Sequence, residues 1–270
     1  MKSFLDGLTV TLLSVLAATA VTRLRTPSAF SAAGTTRTPV VVELFTSEGC
    51  SSCPAADNLL LRMAEQQPIE KAEVIALEEH VDYWNELGWV DPFSSREWTA
   101  RQHVYAGVLG NGNAYTPQMV VDGKTEFVGS QTRKAWEAVE QAAAQQKARV
   151  TLRQGNSADS GTENLSVTID RLPEVVHRDT AEVWLAITET GLHSAVKRGE
   201  NAGEDLHHAA VVRSIRKIGE AKAGGQNAFS GNATVTLLAQ WKRENLHAVV
   251  FVQEKKSRRI LGAAAVPVAR

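Results

Sequence analysis

A dominant charge is missing from this sequence. Its 270 residues carry 29 Lys and Arg against 30 Asp and Glu, and the basic residues are scattered along the chain. Binding to a nucleic acid normally needs a basic patch or stripe, because lysine and arginine neutralise the phosphates. We therefore expect no nucleic acid among the partners.

The hydrophobic content of 43% is ample for one large domain or two ordinary ones, and we favour two.

Long apolar runs are also scarce. The one of note extends from Leu8 to Val21, and it is too short to span a bilayer comfortably but suits a secretory signal. We therefore predict a signal peptide over residues 1–33. Arg23 and Arg25 follow the run where basic residues are unusual, so an uncleaved membrane anchor is the alternative. In either case we expect a periplasmic or secreted protein that contacts a membrane only through this segment.

Cysteine is scarce as well: the chain has two, Cys50 and Cys53, in the stretch "FTSEGCSSCPAADNLL". Outside the cytoplasm, a dithiol is oxidised unless it is kept reduced. Cysteines three apart at the start of a helix project onto one face, within the separation that a disulfide tolerates. The free amides and the positive end of the helix dipole favour the Cys50 thiolate. We therefore expect Cys50 to attack a disulfide and Cys53 to resolve the mixed disulfide.

Two other roles of the pair stay open. A passive disulfide would restrain the unfolded chain only slightly, because the entropy it removes grows with loop length. A zinc or copper site would use the pair as half of its ligands, completed by His80 or His103, but the sequence has no second C-x-x-C and no H-x-x-x-H. We predict no cofactor and no resident metal.

The leading hypothesis is thus an exported thiol-disulfide oxidoreductase that acts on protein or small disulfide substrates. Its partners would be a protein substrate that bears a disulfide or a dithiol, and a separate redox partner. The alternative is a copper- or zinc-binding protein or a non-catalytic interaction module. The motif does not reveal whether the pair oxidises or reduces, because Ser51 and Ser52 between the cysteines supply hydroxyls and no cation.

Hydrophobic patterning divides the chain. After a linker over residues 34–39, the order strand, helix, strand, helix, strand, strand, helix is predicted for residues 40–147, with the cysteines between the first strand and its helix. The first strand is the run "VVVELF", the first helix runs from Pro54 to about Gln67, and Asp122-Gly123 is the two-residue turn of a hairpin. Short alternating segments separated by Gly, Asn, Asp and Pro then fill residues 148–270, a pattern typical of an antiparallel sandwich. We therefore predict two domains with these bounds.

Several separated motifs carry a family resemblance. "ELFTSEGCSSCP", "HVDYWNELGWVDPF", "YTPQMVVDG" and "RGENAG…HHAAVVR" together resemble the exported bacterial thioredoxin-like family catalogued as domain of unknown function twelve-twenty-three. The resemblance covers most of the chain after Pro39. It implies an α/β thioredoxin-like domain followed by an all-β sandwich-like domain, and it brings no established substrate.

The same resemblance assigns roles to Thr116 and Pro117. Pro117 would be the cis-proline that faces the dithiol in thioredoxins, and Thr116 would offer its backbone to the substrate. An ordinary trans turn proline is the alternative. Glu43 lies one strand position before the buried acid of thioredoxins, so it would face the other side of the sheet. Glu43 therefore has two alternative roles, that of a proton shuttle and that of a hydrogen-bonded structural acid.

Two further residues near the motif are candidates for acid–base or tuning roles. Glu48 would oppose the Cys50 thiolate if its side chain points that way. His80 opens an aromatic stretch that is interpreted either as a substrate-binding rim, with His80 as a proton donor or acceptor near Cys50, or as the packing of an inserted segment.

The second half of the chain adds a histidine pair. His207 and His208 are adjacent, so on a strand they would point to opposite faces and could not form a chelate. The segment from Arg198 to Arg213 that contains them is interpreted as a loop followed by a strand that contacts the first domain.

Overall fold

The computed structural model describes residues 37–268 except 111, 156–160, 177–178 and 223–226. The predicted signal peptide and residues 34–36 of the predicted linker lie outside the described residues. Within the part that is described, no helix has the length and apolar character needed to cross a membrane.

The described residues form three α-helices and thirteen strands. The helices are α1 (Pro54–Gln66), α2 (Arg96–Leu109) and α3 (Thr132–Ala143). The strands are β1 (Thr38–Thr46), β2 (Ala72–His80), β3 (Gln118–Val121), β4 (Thr125–Val128), β5 (Arg149–Gln154), β6 (Thr162–Asp170), β7 (Ala181–Glu189), β8 (Leu192–Ala195), β9 (Asp205–His208), β10 (Val211–Ala221), β11 (Phe229–Thr236), β12 (Leu246–Glu254) and β13 (Ile260–Pro267). The helices and strands predicted before residue 148 are all present.

Eight strands form one mixed sheet in the order β13-β12-β7-β10-β2-β1-β3-β4. β2 is parallel to both β1 and β10, and the other neighbours are antiparallel. β10 joins β2 through the register pair Val211 and Glu78, beside a hydrogen bond from the Glu78 N–H to the Ala210 carbonyl. Strands from the two halves of the chain therefore share one sheet.

The predicted fold class, an α/β thioredoxin-like domain followed by an all-β sandwich-like domain, is wrong. The molecule is mostly β, and β7, β10, β12 and β13 extend the N-terminal sheet. β5, β6 and β11 form a separate three-stranded sheet that shares a hydrophobic core with β7 and β12. The alternating pattern indicated most of the strands but not β8 or β13, and it took β9 and β10 as one segment. Pairing partners depend on long-range contacts that the pattern does not contain. The predicted boundary between residues 147 and 148 stays a prediction.

The first two strands are buried on both faces, and their alternation decides which side chains meet the cysteine helix. In β1, Val40, Val42 and Leu44 pack in one core with α1, whereas Val41 belongs to the core on the opposite side. In β2, Val74 and Ala76 lie on the α1 side. Because side chains alternate along a strand, Glu78 and His80 continue that side.

Helix α1 begins and ends where the sequence predicts. Pro54 occupies the first turn, where its missing N–H costs nothing, and Gln67 ends the helix in the left-handed region with φ 47°. The Gln67 amide group then bonds both backbone groups of Val74, at 2.9 and 2.7 Å. The end of α1 is thereby fixed to β2, which holds the helix against the sheet.

The predicted hairpin is also present. Asp122 and Gly123 have φ of 48° and 63°, as a two-residue turn with both residues in the left-handed region requires. A side chain at Gly123 would meet the Arg258 carbonyl oxygen at 1.9 Å, so the position also needs glycine for space. The hairpin sets the start of β3, where the predicted proline loop enters the sheet.

Candidate functional site

The two cysteines form a disulfide at the start of α1. Cys53 precedes Pro54, its carbonyl accepts hydrogen bonds from the Ala56 and Asp57 N–H groups at 2.8 and 3.1 Å, and the two Cα atoms are 5.4 Å apart. Both cysteines are fully buried, although Ser51 and Ser52 between them are exposed. The predicted closeness of the two thiols is confirmed.

A segment from the second half of the chain covers the cysteine turn. The Asn201 side-chain amide donates to the carbonyl oxygens of Glu48 and Cys50 at 2.8 and 3.0 Å. The Glu200 carboxylate accepts from the Ser51 N–H at 3.2 Å. The predicted contact between the segment that follows Arg198 and the first half of the chain is therefore confirmed.

The Thr116–Pro117 peptide bond is cis, as predicted. Pro117 lies near the cysteine helix, because a side chain at Gly129 would meet Ala56 of α1 at 3.0 Å and Pro117 at 3.4 Å. The Trp84 indole N–H donates to the Thr116 hydroxyl at 2.8 Å. Thr116 and Pro117 thus lie close to α1, and their predicted role in substrate binding stays a prediction.

Trp84 connects this loop to the cysteine turn. A Cβ atom on Gly49 would lie 3.1 Å from the Cβ atom of Trp84, so the indole-bearing residue packs directly on the residue before Cys50. Gly49 is the residue that leaves room for this approach. Nothing in the sequence indicated this contact, because Trp84 lies 35 positions after Gly49.

Asp57 is a buried acid one turn into α1. Its carboxylate accepts a hydrogen bond from the Thr46 hydroxyl at 2.6 Å. Burial, followed by the negative charge of Glu78, raises the pKa of Asp57 from 3.8 to about 7. Asp57 could not be predicted as a buried residue, because an acid in the first turn of a helix is usually an exposed partner of the helix dipole.

Next to α1, three buried side chains converge from two strands. Glu78 Oε1 lies 2.9 Å from His208 Nδ1 and 3.6 Å from His80 Nε2. The outer nitrogen of each imidazole contacts a carboxylate: His80 Nδ1 lies 2.7 Å from Asp91, and His208 Nε2 lies 3.1 Å from Glu48. These five side chains, each at most 2% exposed, are called the buried cluster below.

Contacts within the buried cluster shift the pKa values of its side chains. Burial lowers the pKa of His208, but the Glu78 and Glu48 carboxylates outweigh burial and raise that pKa to about 9. Burial likewise opposes the effect of Asp91 and Glu78 on His80, whose pKa ends well above its usual value. For Glu78 the two imidazoles outweigh burial and lower the pKa to about 2.

Two of the candidate acid–base residues, Glu48 and His80, belong to the buried cluster. The Glu48 carboxylate also accepts from the Trp89 indole N–H at 2.7 Å, and the Glu48 backbone N–H donates to Asp91 at 2.9 Å. Phe93 packs edge-on against His80 and His208, with ring centroids 5.4 and 5.3 Å away. The aromatic stretch after His80 therefore encloses the cluster.

Glu43 lies in a different network on the other side of β1, as period-two alternation predicts. It pairs with Arg101, whose Nε donates at 2.7 Å, and it accepts a short hydrogen bond from the Tyr105 hydroxyl. Gln253 of β12 donates to the same hydroxyl at 2.7 Å. These contacts tie α2 to the sheet and favour the alternative that Glu43 is a hydrogen-bonded structural acid.

Among the described residues, two sets of three side chains bring potential metal-ligating atoms within 4.8 Å of one another. The sets are Glu78, His80 and His208, and His193, Asp205 and His207. Neither contains Cys50 or Cys53, and His103 is exposed on α2. The described residues therefore do not bring Cys50 and Cys53 together with His80 or His103 as the ligands of a metal carrier.

The fold and the site define a class: a β-rich protein in which a C-x-x-C disulfide at a helix start adjoins a buried cluster of acids and histidines. The chain belongs to the protein family of unknown function DUF1223, whose family model matches residues 41–253. No protein of curated function matches it.

Two solved structures are similar along most of the chain. Protein AGR_C_4864 from Agrobacterium tumefaciens is 26% identical and has a TM-score of 0.65, with 87% of this chain and 96% of that chain covered. HBP35 of Porphyromonas gingivalis is 15% identical, with a TM-score of 0.63 and coverage of 86% and 76%. The second likeness concerns the fold alone.

Proposed function

We propose that this protein is an exported thiol-disulfide oxidoreductase whose reactive pair is Cys50 and Cys53. The observation that carries the proposal is the disulfide at the start of α1, one helical turn from a buried acid, Asp57. A thiolate of Cys50 would lie near the free amides and the positive end of the helix. An acid with a pKa of about 7 can exchange a proton at neutral pH.

The reaction transfers two electrons. In the reducing direction, the Cys50 thiolate attacks a substrate disulfide, and the first substrate sulfur leaves as a thiolate that takes up a proton. The Cys53 thiol then gives its proton to Asp57 and attacks Cys50 Sγ, which releases the second substrate sulfur and forms the Cys50–Cys53 disulfide. The oxidising direction is the reverse. A separate redox partner must restore the starting state.

Access to the sulfur atoms requires a local movement. Both cysteines are buried, and Asn201 and Glu200 hold the backbone of the cysteine turn. We propose that a substrate displaces this segment and binds along the Thr116–Pro117 edge. A C-x-x-C pair near a cis-proline is a combination that thiol-disulfide oxidoreductases use, and this chemical analogy supports the proposal without assigning a fold.

Export is part of the proposal. The apolar run from Leu8 to Val21 has the length of a secretory signal, and a disulfide persists in an oxidising compartment. The substrate would be a protein or small molecule that bears a disulfide or a dithiol. A periplasmic or secreted location supplies such substrates.

The redox potential of the pair tests the proposal. Residues 34–270 would be equilibrated in glutathione buffers, the thiols trapped by alkylation, and the reduced fraction measured by mass. We expect a reversible transition between about −120 and −270 mV, the range of catalytic dithiols. A potential below about −300 mV would mark a structural disulfide and overturn the proposal. Cys50→Ser, which cannot form the disulfide, is the control for specific trapping.

The covering segment offers a second test. Asn201→Ala removes both hydrogen bonds to the cysteine turn, so we expect faster reduction of the disulfide by dithiothreitol. Glu204→Ala changes the same loop at an exposed position and is the matched control. Equal rates in the two variants would contradict the proposed opening.

A further inference from the structure

We propose that Glu78, His80 and His208 bind one divalent transition-metal ion of the zinc class within the buried cluster. The proposed site is separate from the cysteines and does not depend on the redox function. It uses a ligand set that C-x-x-C spacing does not indicate.

The three donor atoms lie within 4.8 Å of one another, and two of their separations are close to the value that such an ion requires. Glu78 Oε1 is 2.9 Å from His208 Nδ1 and 3.6 Å from His80 Nε2. Bonds of 2.0 to 2.1 Å in a tetrahedral site place neighbouring donor atoms roughly 3.3 Å apart. Small side-chain adjustments therefore suffice to put all three atoms around one ion.

Carboxylates hold both imidazole rings in a fixed orientation by contacting their outer nitrogen atoms. His80 Nδ1 contacts Asp91, and His208 Nε2 contacts Glu48. A carboxylate on the far side of a metal-binding histidine fixes the ring and raises its basicity. Most histidine ligands of metal ions have such a partner. Both imidazoles thus direct their remaining nitrogen atoms toward Glu78.

One of those inner nitrogens has no hydrogen-bond partner among the described residues. His80 Nε2 is fully buried, and its separation of 3.6 Å from Glu78 is too long for a hydrogen bond. Buried polar atoms are rarely left unpaired, so this atom calls for a partner that the described residues do not supply. A metal ion would supply that partner.

All three ligands lie on strands, Glu78 and His80 on β2 and His208 on β9. Glu78 and His80 are two residues apart on β2 and therefore share a face. His208 ends β9, and the next residue, Ala209, donates its N–H to Glu78 Oε2 at 2.6 Å. This bond and the adjacent pairing of β10 with β2 hold His208 beside Glu78.

Charge also favours a cation. Four buried carboxyl groups, those of Glu48, Asp57, Glu78 and Asp91, surround two imidazoles. Because histidine binds a metal as the neutral imidazole, both rings would release their protons on binding, and the divalent ion would then compensate the carboxylates. Two nitrogen ligands and one oxygen ligand suit zinc and its first-row neighbours, whereas calcium and magnesium prefer oxygen ligands.

The test uses a background variant, His193→Gln with His207→Gln, to remove the exposed histidine set. The protein of residues 34–270 would be analysed for metal as purified and after refolding with zinc chloride, then desalted. We expect one zinc ion per chain, and visible absorption bands of four- or five-coordinate cobalt after refolding with Co²⁺. A background protein that holds neither metal would overturn the proposal.

Two further variants test the ligand set. Glu78→Gln in the same background should bind zinc at least tenfold more weakly, and unchanged binding would also overturn the proposal. Asp91→Asn keeps all three ligands and should weaken binding by about 10- to 100-fold through its effect on His80. Circular dichroism checks the fold of each variant.

Should a variant not fold, nitrogen-15 spectra of the background protein decide the outcome. Zinc must shift the resonances of His80 Nε2 and His208 Nδ1. The absence of both shifts would contradict the proposal.

Discussion

Two sets of one carboxylate and two histidines occur in this chain, and they differ in burial. Glu78, His80 and His208 are buried, whereas Asp205, His193 and His207 lie on the exposed β8–β9 hairpin. Adjacent residues, His207 and His208, belong to different clusters because β9 alternates between exposed and buried positions. The prediction that the two would point to opposite faces is confirmed.

The difference lies in what surrounds each set. In the exposed cluster, Asp205 contacts His193 at 2.9 Å and His207 at 3.4 Å, and water can solvate all three side chains. In the buried cluster, each charge depends on protein partners, because water is excluded. We therefore expect substitutions to be tolerated on the hairpin and to be strongly destabilising in the interior.

The largest expected effect comes from breaking one buried pair. Asp91→Ala removes the partner of His80 Nδ1 and of the Glu48 N–H, and we expect a loss of about 3 to 5 kcal/mol in the free energy of unfolding. Asp205→Ala breaks an exposed pair of the same type and should cost less than about 1 kcal/mol. Urea unfolding in the presence of a chelator would measure both. Equal losses would show that burial does not separate the clusters.

A pH series sharpens the comparison. The folded-state pKa of Asp57, about 7, lies above the ordinary value of 3.8, so the folded protein keeps a proton that the unfolded chain releases. The resulting stability is fully present below about pH 4 and is lost as pH rises through about 7. Asp57→Asn stays neutral, so from pH 4 to 8 the wild type should lose on the order of 3 kcal/mol relative to it.

Asp205→Asn is the matched control for that series. The hydrogen bond from His193 lowers the pKa of Asp205, and this acid is fully exposed. The wild type and Asp205→Asn should therefore run parallel above pH 4 in thermal or urea unfolding. A wild-type curve that also parallels Asp57→Asn would refute the assignment of a raised pKa to Asp57.

A smaller effect is expected at the edge of the buried cluster. Trp89→Phe deletes the indole N–H that donates to Glu48 and should cost about 2 kcal/mol, as for other hydrogen bonds to charged groups. His207→Gln changes the exposed cluster and should stay within about 0.5 kcal/mol of the wild type. Urea midpoints compared at pH 7 would separate the two. A neutral Trp89→Phe variant would show that the bond adds nothing.

Much of the local structure could be predicted from the sequence. Continuous β-branched residues indicated β1, Pro54 indicated the start of α1, and Asp122-Gly123 indicated the hairpin. The fold class could not be predicted, because strand patterns specify faces and not neighbours. The pairing of Val211 with Glu78 joins residues 133 positions apart.

In the candidate site, too, some features follow from local sequence and others from long-range contacts. The sequence by itself determined that two cysteines meet at a helix start, that Glu43 faces away from α1, and that His207 and His208 diverge, because each follows from local spacing on a helix or strand. Only the tertiary structure decided that His208 meets Glu78 and His80, and that Asn201 covers the cysteines. Such contacts depend on which distant segments pack together, because β2 and β9 belong to different sheets and Asn201 lies between two strands. Burial then shifts the pKa values of the groups that meet.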